Sequence, residues 1–162
     1  MSVPFDPKLM LSINWFGTVE LLEGLRDALT KSSKSSYVVA VSSNSTTITP
    51  NIPEELVTLC LDRDELGAHN LLDSLGGAEA MAISYAASKL AIARYVRLNA
   101  PENQWAASGI RLNGICPGAV MTPLLEKARG AINKVGKDQG FNYVIDSSPN
   151  GGVILANGKD LL

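Results

Sequence analysis

Two short apolar runs constrain the fold of this chain more than any other feature. Tyr37-Val38-Val39-Ala40-Val41 is rich in β-branched residues, and Ile110-Arg111-Leu112-Asn113-Gly114-Ile115-Cys116 is its counterpart. Such runs suit buried parallel strands. Each ends abruptly, the first in Ser42-Ser43-Asn44-Ser45-Thr46 and the second in Pro117-Gly118. Between them a long helix is predicted from about Ala78 to Ala100, stopped by Pro101. Ahead of the first run, residues 8–30 set Leu11, Trp15, Val19, Leu22, Leu25 and Leu29 at three- and four-residue steps, the period of a helix with one apolar face. Helix, strand, helix, strand is the grammar of a parallel sheet with crossovers. The fold class expected is therefore α/β. In such sheets ligands gather just past the carboxyl ends of the strands, which directs attention to the serine cluster and to the Pro-Gly turn.

Other segments qualify this frame. Pro50 and Pro53 break the chain before Glu54-Glu55, and residues 51–75 hold six acidic side chains against the single Arg63. That composition predicts a helical pair at the surface, an acidic insert at about 50–77 closed by Gly76-Gly77. The formal net charge of -2 leaves no basic face for a nucleic acid. No apolar run approaches the roughly 18 residues of a membrane span, and the start MSVPFDPKLM lacks the parts of a signal peptide. Cys60 and Cys116 stand far apart, as thiols of a reducing compartment do, so a cytoplasmic location is expected. His69 is read without Cys or carboxylates at ligand spacing, and no metal is expected.

Tyr85 and Lys89 lie four apart in a helical segment, so both side chains project from one face. An ammonium held beside a phenol favours the phenolate and makes the pair a working proton donor and acceptor for an alcohol or carbonyl. By itself the pair is equally a core tyrosine beside a solvated lysine. Ser42 or Ser43 would offer a hydroxyl to a substrate oxygen, or would cap a turn. Asn14 is a polar amide amid apolar Ile13 and Trp15, where a buried amide satisfied by backbone groups is the plain reading. Pro117-Gly118-Ala119-Val120-Met121-Thr122 offers backbone amides and a hydroxyl, or is a plain strand-to-helix turn.

In order, Asn14, Ser43, Tyr85 with Lys89, then Asn113, Pro117, Gly118 and Thr122 resemble the pattern of the short-chain dehydrogenase/reductase family. The resemblance implies the carboxyl half of a Rossmann-type parallel sheet with flanking helices. It also implies an oxidoreductase passing hydride between NAD or NADP and a secondary alcohol or carbonyl. Tyr85 would be the general acid/base, and Lys89 would assist with its charge and hold the nicotinamide ribose hydroxyls. Ser43, preferred to Ser42 as the second of the pair, would orient the substrate oxygen, and Asn14 would hold a water of the proton relay. Pro117, Gly118, Val120 and Thr122 would line the nicotinamide, with Val120 and Thr122 on its carboxamide. The insert, together with Asn14-Trp15-Phe16-Gly17 and the run Pro117 to Leu125, is similar to the branch of 3α-hydroxysteroid dehydrogenase/carbonyl reductase. That likeness implies a bulky, steroid-like substrate.

The chain departs from the family in two places. Neither the Gly-x-x-x-Gly-x-Gly turn for the cofactor phosphates nor the Asn-Asn-Ala-Gly segment occurs in it. Residues 1–162 are thus expected to be a single incomplete Rossmann-like domain that lacks the amino-terminal half of the family. Residues 138–162 match poorly, with short strands expected at Phe141–Asp146 and Val153–Ala156. A sheet of so few strands leaves edges open, so the expected partner, besides the substrate, is a second copy of the chain or a complementing N-terminal half. The alternative is a non-catalytic remnant or subunit without the cofactor-phosphate site.

Overall fold

The computed structural model describes residues 6–32, 35–118, 122–140, 143–145 and 153–156. The chain divides into two compact units, Met1–Gly118 and Ala119–Leu162.

The first unit opens with α1 (Pro7–Leu11), a π-helical segment (Ser12–Gly17), α2 (Thr18–Gly24) and α3 (Arg26–Thr30). Asp6 caps α1 by accepting from the Lys8 backbone N–H at 2.9 Å, which satisfies one of the donors a helix start leaves free. The region expected as one helix is thus broken twice. The π segment adds a residue to one turn, and α2 ends at Leu25, whose φ of -85° and ψ of -10° interrupt regular helix. Leu11, Trp15 and Val19 still line up in the core, but Leu25 is exposed.

Strand β1 (Ser36–Val41) follows, then the short α4 (Ser45–Ile48) and the insert helices α5 (Glu54–Leu61) and α6 (Glu65–Ser74). Asp64 caps α6 by accepting from the Gly67 N–H at 2.8 Å, and a Cβ at Gly67 would collide with that carboxylate. The insert is the helical pair its acidic count suggested, packed by one face: its carboxylates stay exposed or half-buried, while Leu56, Val57, Cys60, Ala68 and Leu72 are buried in the core. Arg63, in the α5–α6 turn with a left-handed φ of 64°, pins the insert down. Its guanidinium lies 5.5 Å over the Trp15 ring and 5.7 Å over the Tyr95 ring, and donates to Glu23 at 2.7 Å.

The long helix α7 (Gly77–Asn99) is the spine of the unit. Glu79 in its first turn and Arg97 in its last complement the helix dipole. Small residues Ala86, Ala87 and Ala91 are buried along it and let its neighbours approach closely. The Ser84 hydroxyl donates to the Pro7 carbonyl at 2.6 Å, tying α7 to α1. Beyond a second π-helical segment, Asn103–Ala107, strand β2 (Ile110–Ile115) pairs with β1 in parallel, from Ser36 opposite Ile110 to Val41 opposite Ile115. Ser36, Ala40, Ile110 and Leu112 are buried on the face turned to the helices. Gly114 sits where a Cβ would come within 3.6 Å of Val96 of α7. This is the partial Rossmann-type parallel sheet with flanking helices expected of the sequence.

In the second unit, α8 (Pro123–Asp138) packs on β4 (Val153–Ala156), which pairs antiparallel with β3 (Tyr143–Ile145). The short strands expected at Phe141–Asp146 and Val153–Ala156 are β3 and β4. Among the described residues no helix is long and apolar enough to cross a membrane.

Candidate active site

The site forms where the carboxyl end of β1 meets the middle of α7. Two hydrogen bonds join them in opposite senses. The Ser42 hydroxyl donates to the Lys89 backbone carbonyl at 2.6 Å, and the Lys89 ammonium donates to the Val41 carbonyl at 3.1 Å. Lys89 is therefore held at the strand tip with one of its three N–H donors committed and two that meet no acceptor among the described residues. One helical turn earlier on the same face stands Tyr85, 38% exposed, with the Lys89 Nζ 5.8 Å from its ring centroid. Its hydroxyl bonds to no described residue, and its main-chain carbonyl accepts from Ser88 at 2.7 Å. The other tyrosine of α7, Tyr95, is a different kind of phenol. Burial first, and then the Glu23 carboxylate, push it up to about 12.

The two adjacent serines separate by their partners. Ser42 spends its hydroxyl on α7, whereas the Ser43 Oγ accepts from the Ser45 backbone N–H at 3.1 Å. That bond fills a lone pair and leaves the Ser43 proton for another acceptor. Ser43 is buried, and next to it the Ser45 Oγ is buried without a partner.

The tips of β1 and β2 are clamped together. The Ser42 N–H donates to the Ile115 carbonyl at 2.8 Å, and the Asn44 N–H donates to the Pro117 carbonyl at 3.0 Å. Gly118 passes so close that a Cβ there would lie 3.4 Å from the Asn44 Nδ2. Asn44 and Ser45 were not singled out by the sequence. The signal was the run Ser42-Ser43-Asn44-Ser45, but which of its groups face the second strand is decided only by the fold.

Asn14 and Asn113 make no described hydrogen bond to this cluster. Asn14 is half-buried in the π segment, which packs on α7, and no described hydrogen bond links it to Ser43, Tyr85 or Lys89. Asn113, in β2, donates to the Arg111 carbonyl at 3.4 Å. Thr122 belongs to the second unit, where its carbonyl accepts the Glu126 N–H at 2.9 Å at the start of α8. Val120 lies outside the described residues. His69 departs from its reading as a residue with no carboxylate at ligand spacing. It stands 3.7 Å from Glu65, four residues back on α6, and 2.9 Å from the Ser12 hydroxyl, which itself donates to Glu65. That cluster ties α6 to the π segment. Among the described residues no group of three potential ligands could hold a metal ion.

The family model for short chain dehydrogenase matches residues 73–133. The 3-alpha-hydroxysteroid dehydrogenase/carbonyl reductase of Comamonas testosteroni is 32% identical over 117 residues, covering 72% of this chain and 44% of its own length. The chain belongs to the short-chain dehydrogenase/reductase family. The crystal structure of the 3-alpha-hydroxysteroid dehydrogenase from Pseudomonas sp. B-0831, complexed with NADH, superposes with a TM-score of 0.65 at 34% identity. It covers 78% of this chain and 48% of that one. The chain thus spans about half the length of the relatives it matches. The family match takes in Tyr85, Lys89, Asn113, Pro117, Gly118 and Thr122, while Ser43 and Asn14 precede it.

Proposed function

We propose that this chain carries the nicotinamide end of a short-chain dehydrogenase active site, oxidising a secondary alcohol or reducing a carbonyl with NAD or NADP. The observation that carries the proposal is Lys89. Its ammonium is anchored at the tip of β1 by the Val41 carbonyl and keeps two donors without an acceptor among the described residues, the number that the paired hydroxyls of a ribose would take. The cofactor's nicotinamide end would lie beside the β2 tip, where Gly118 passes close to Asn44. Its pyrophosphate has no glycine-rich turn in this chain.

The cofactor, when bound, supplies or accepts the hydride. The chain's own residues manage the proton and the oxygen. Tyr85 exchanges the proton with the substrate oxygen through a hydroxyl that no described residue occupies. Ser43, with one lone pair taken by the Ser45 N–H, donates to the same oxygen and orients it. Lys89 favours transfer at Tyr85 through its charge, and Asn14 serves the relay that returns the proton to solvent. Val120 and Thr122 would hold the carboxamide.

The matched relatives, named for 3-alpha-hydroxysteroids, support a bulky apolar substrate of that class. A cytoplasmic location fits the two free thiols, Cys60 and Cys116. Completion by a complementing N-terminal half belongs to the same reading, because the phosphate turn must come from elsewhere, whereas a second copy would only cover the open strand edges. The alternative, a non-catalytic remnant or subunit, is favoured by that missing turn alone.

Titration of the purified chain with NADH and NADPH, followed by nicotinamide fluorescence, tests the proposal. Saturable binding weakened by Lys89→Ala, and less so by Tyr85→Phe, is expected. A folded chain that binds neither at millimolar concentration refutes an autonomous nicotinamide site.

A further inference from the structure

The insert meets the start of the chain along a polar seam. On α6, Glu65, His69 and Asp73 follow at four-residue steps and so share one face. On the opposing side, Lys8 of α1 and Ser12 of the π segment are also four apart. Lys8 holds Asp73 in an ion pair at 2.9 Å. Ser12 meets the other two: its hydroxyl donates to Glu65, and its oxygen stands 2.9 Å from the His69 Nε2. A serine has a single hydroxyl proton, and Glu65 receives it. The proton in the Ser12–His69 bond must therefore come from Nε2. The ring thus donates to Ser12, and its Nδ1 is the nitrogen that takes up a proton on acidification. The added charge would stand 3.7 Å from the Glu65 carboxylate. The other charged groups of the seam, Asp73 and Lys8, are already paired with each other.

We propose that Glu65 and His69 of the insert are positioning residues for Asn14, acting on it through Ser12. Ser12 opens the π segment Ser12–Gly17, and Asn14 stands two residues further on. A wide turn of this kind is rare, and it occurs often at functional sites. It is held from two directions: Ser12 by the insert, and the Ile13 carbonyl by the Thr18 hydroxyl at 3.4 Å. Packing alone does not call for the polar cluster, because α6 already buries Ala68 and Leu72 in the core. Nor can the neighbouring Lys8–Asp73 pair replace it, since those side chains are 37% and 59% exposed and such pairs hold little. The charge state of the His69 ring therefore changes the bonds of Ser12, and through them the placing of Asn14. That Asn14 serves a proton relay rests on the dehydrogenase reading above; its coupling to the insert rests on the Ser12 cluster alone.

His69 is the chain's single histidine, so its ring signals are unambiguous in an NMR spectrum. The 162-residue chain is titrated from about pH 8 to 5, the range in which a histidine changes charge, with the His69 ring and the Asn14 side-chain amide followed together. The Asn14 resonances should move with the midpoint of the His69 ring. Ser12→Ala should abolish that movement while His69 still titrates, and Ser12→Thr, which restores the hydroxyl, should restore it. Lys8→Met, which breaks the other lock of the seam, should leave the movement in place. Asn14 resonances that ignore the His69 midpoint in the parent chain overturn the proposal, and so does tracking that survives Ser12→Ala. Equal loss in the Lys8 and Ser12 variants marks a merely structural seam and overturns it too. His69→Gln covers a Ser12 variant that fails to fold. Glutamine can still donate to Ser12 but does not titrate, so Asn14 should lose its pH-dependent shift; a shift that remains refutes the coupling. An NADH titration of the same chain keeps the two readings apart. Tracking without NADH binding upholds the coupling and removes the relay it would serve, whereas binding without tracking removes the coupling alone.

Discussion

Removing the Arg63 side chain should loosen the insert from the helix that carries Asn14, by an amount the structure fixes. The guanidinium lies over two rings, Trp15 and Tyr95, each contact worth about 0.5–1 kcal/mol for a partly exposed arginine. Its ion pair with Glu23, whose two side chains are 37% and 39% exposed, adds about 0–1 kcal/mol after solvent screening. Arg63→Ala should therefore cost about 1–3 kcal/mol, and the melting temperature should fall by roughly 2–4 °C for each kcal/mol. Arg63→Gly loses the same contacts but relieves the left-handed backbone at φ 64°, a gain of about 1 kcal/mol. Glycine should therefore be more stable than alanine here, the reverse of an ordinary position, where it is worse by about 0.5–1 kcal/mol. Urea unfolding followed by circular dichroism measures both variants. An alanine variant as stable as the parent, or a glycine variant below the alanine one, refutes this account of how the insert is held.

Tyr95→Phe removes the 3.1 Å bond from the phenol to Glu23 and should cost about 1 kcal/mol at neutral pH. Because Tyr95 is pushed up to about 12 from 10.0, the folded state holds its proton more tightly. That stability is complete below pH 10 and is lost as pH rises toward 12, so urea midpoints of the phenylalanine variant should fall less steeply across that range. Burial also pushes the Cys60 thiol up to about 12, whereas Cys116 is exposed. Mass spectrometry of the native chain after iodoacetamide should show one modification, at Cys116, and a second only after unfolding. Ser42→Ala breaks the bond that fastens β1 to the Lys89 carbonyl and should lower stability by about 1 kcal/mol. Ser43→Ala removes the buried acceptor of the Ser45 N–H and should also cost about 1 kcal/mol, but unlike Ser42→Ala it should depress carbonyl turnover in a completed enzyme; equal losses of turnover would contradict the division of labour between the two serines.

The strands and the long helix were legible because their signals are local. β-branched runs ended by serines or Pro-Gly, and a helix ended by Pro101, leave little choice. Placing Tyr85 and Lys89 on one helix face and Ser42-Ser43 at a strand end needed nothing more. What was hidden depends on registration in three dimensions. Apolar residues at three- and four-residue steps look the same whether or not a turn contains an extra residue, so the π segment and the exposure of Leu25 were invisible. Six carboxylates drew attention from Leu56, Val57 and Cys60, which carry the insert into the core. The neighbouring hydroxyls of Ser42 and Ser43 differ only in which backbone group each meets, and composition does not encode that.

The extra residue in Ser12–Gly17 sets a rule for length change in this chain. Deleting one residue between Leu11 and Trp15 would let the turn close as ordinary α-helix with every backbone bond made, so the deletion would be tolerated locally. Because the wide turn spends one residue more than an ordinary turn on the same rotation, closing it would leave Leu11 facing the core and the Pro7 carbonyl still receiving Ser84. Deleting a residue from the regular helix Thr18–Gly24 would instead turn everything upstream by about 100° about the axis and carry Leu11 out of the core. The wide turn is thus a place where the helical start can lose a residue and keep its register with the spine.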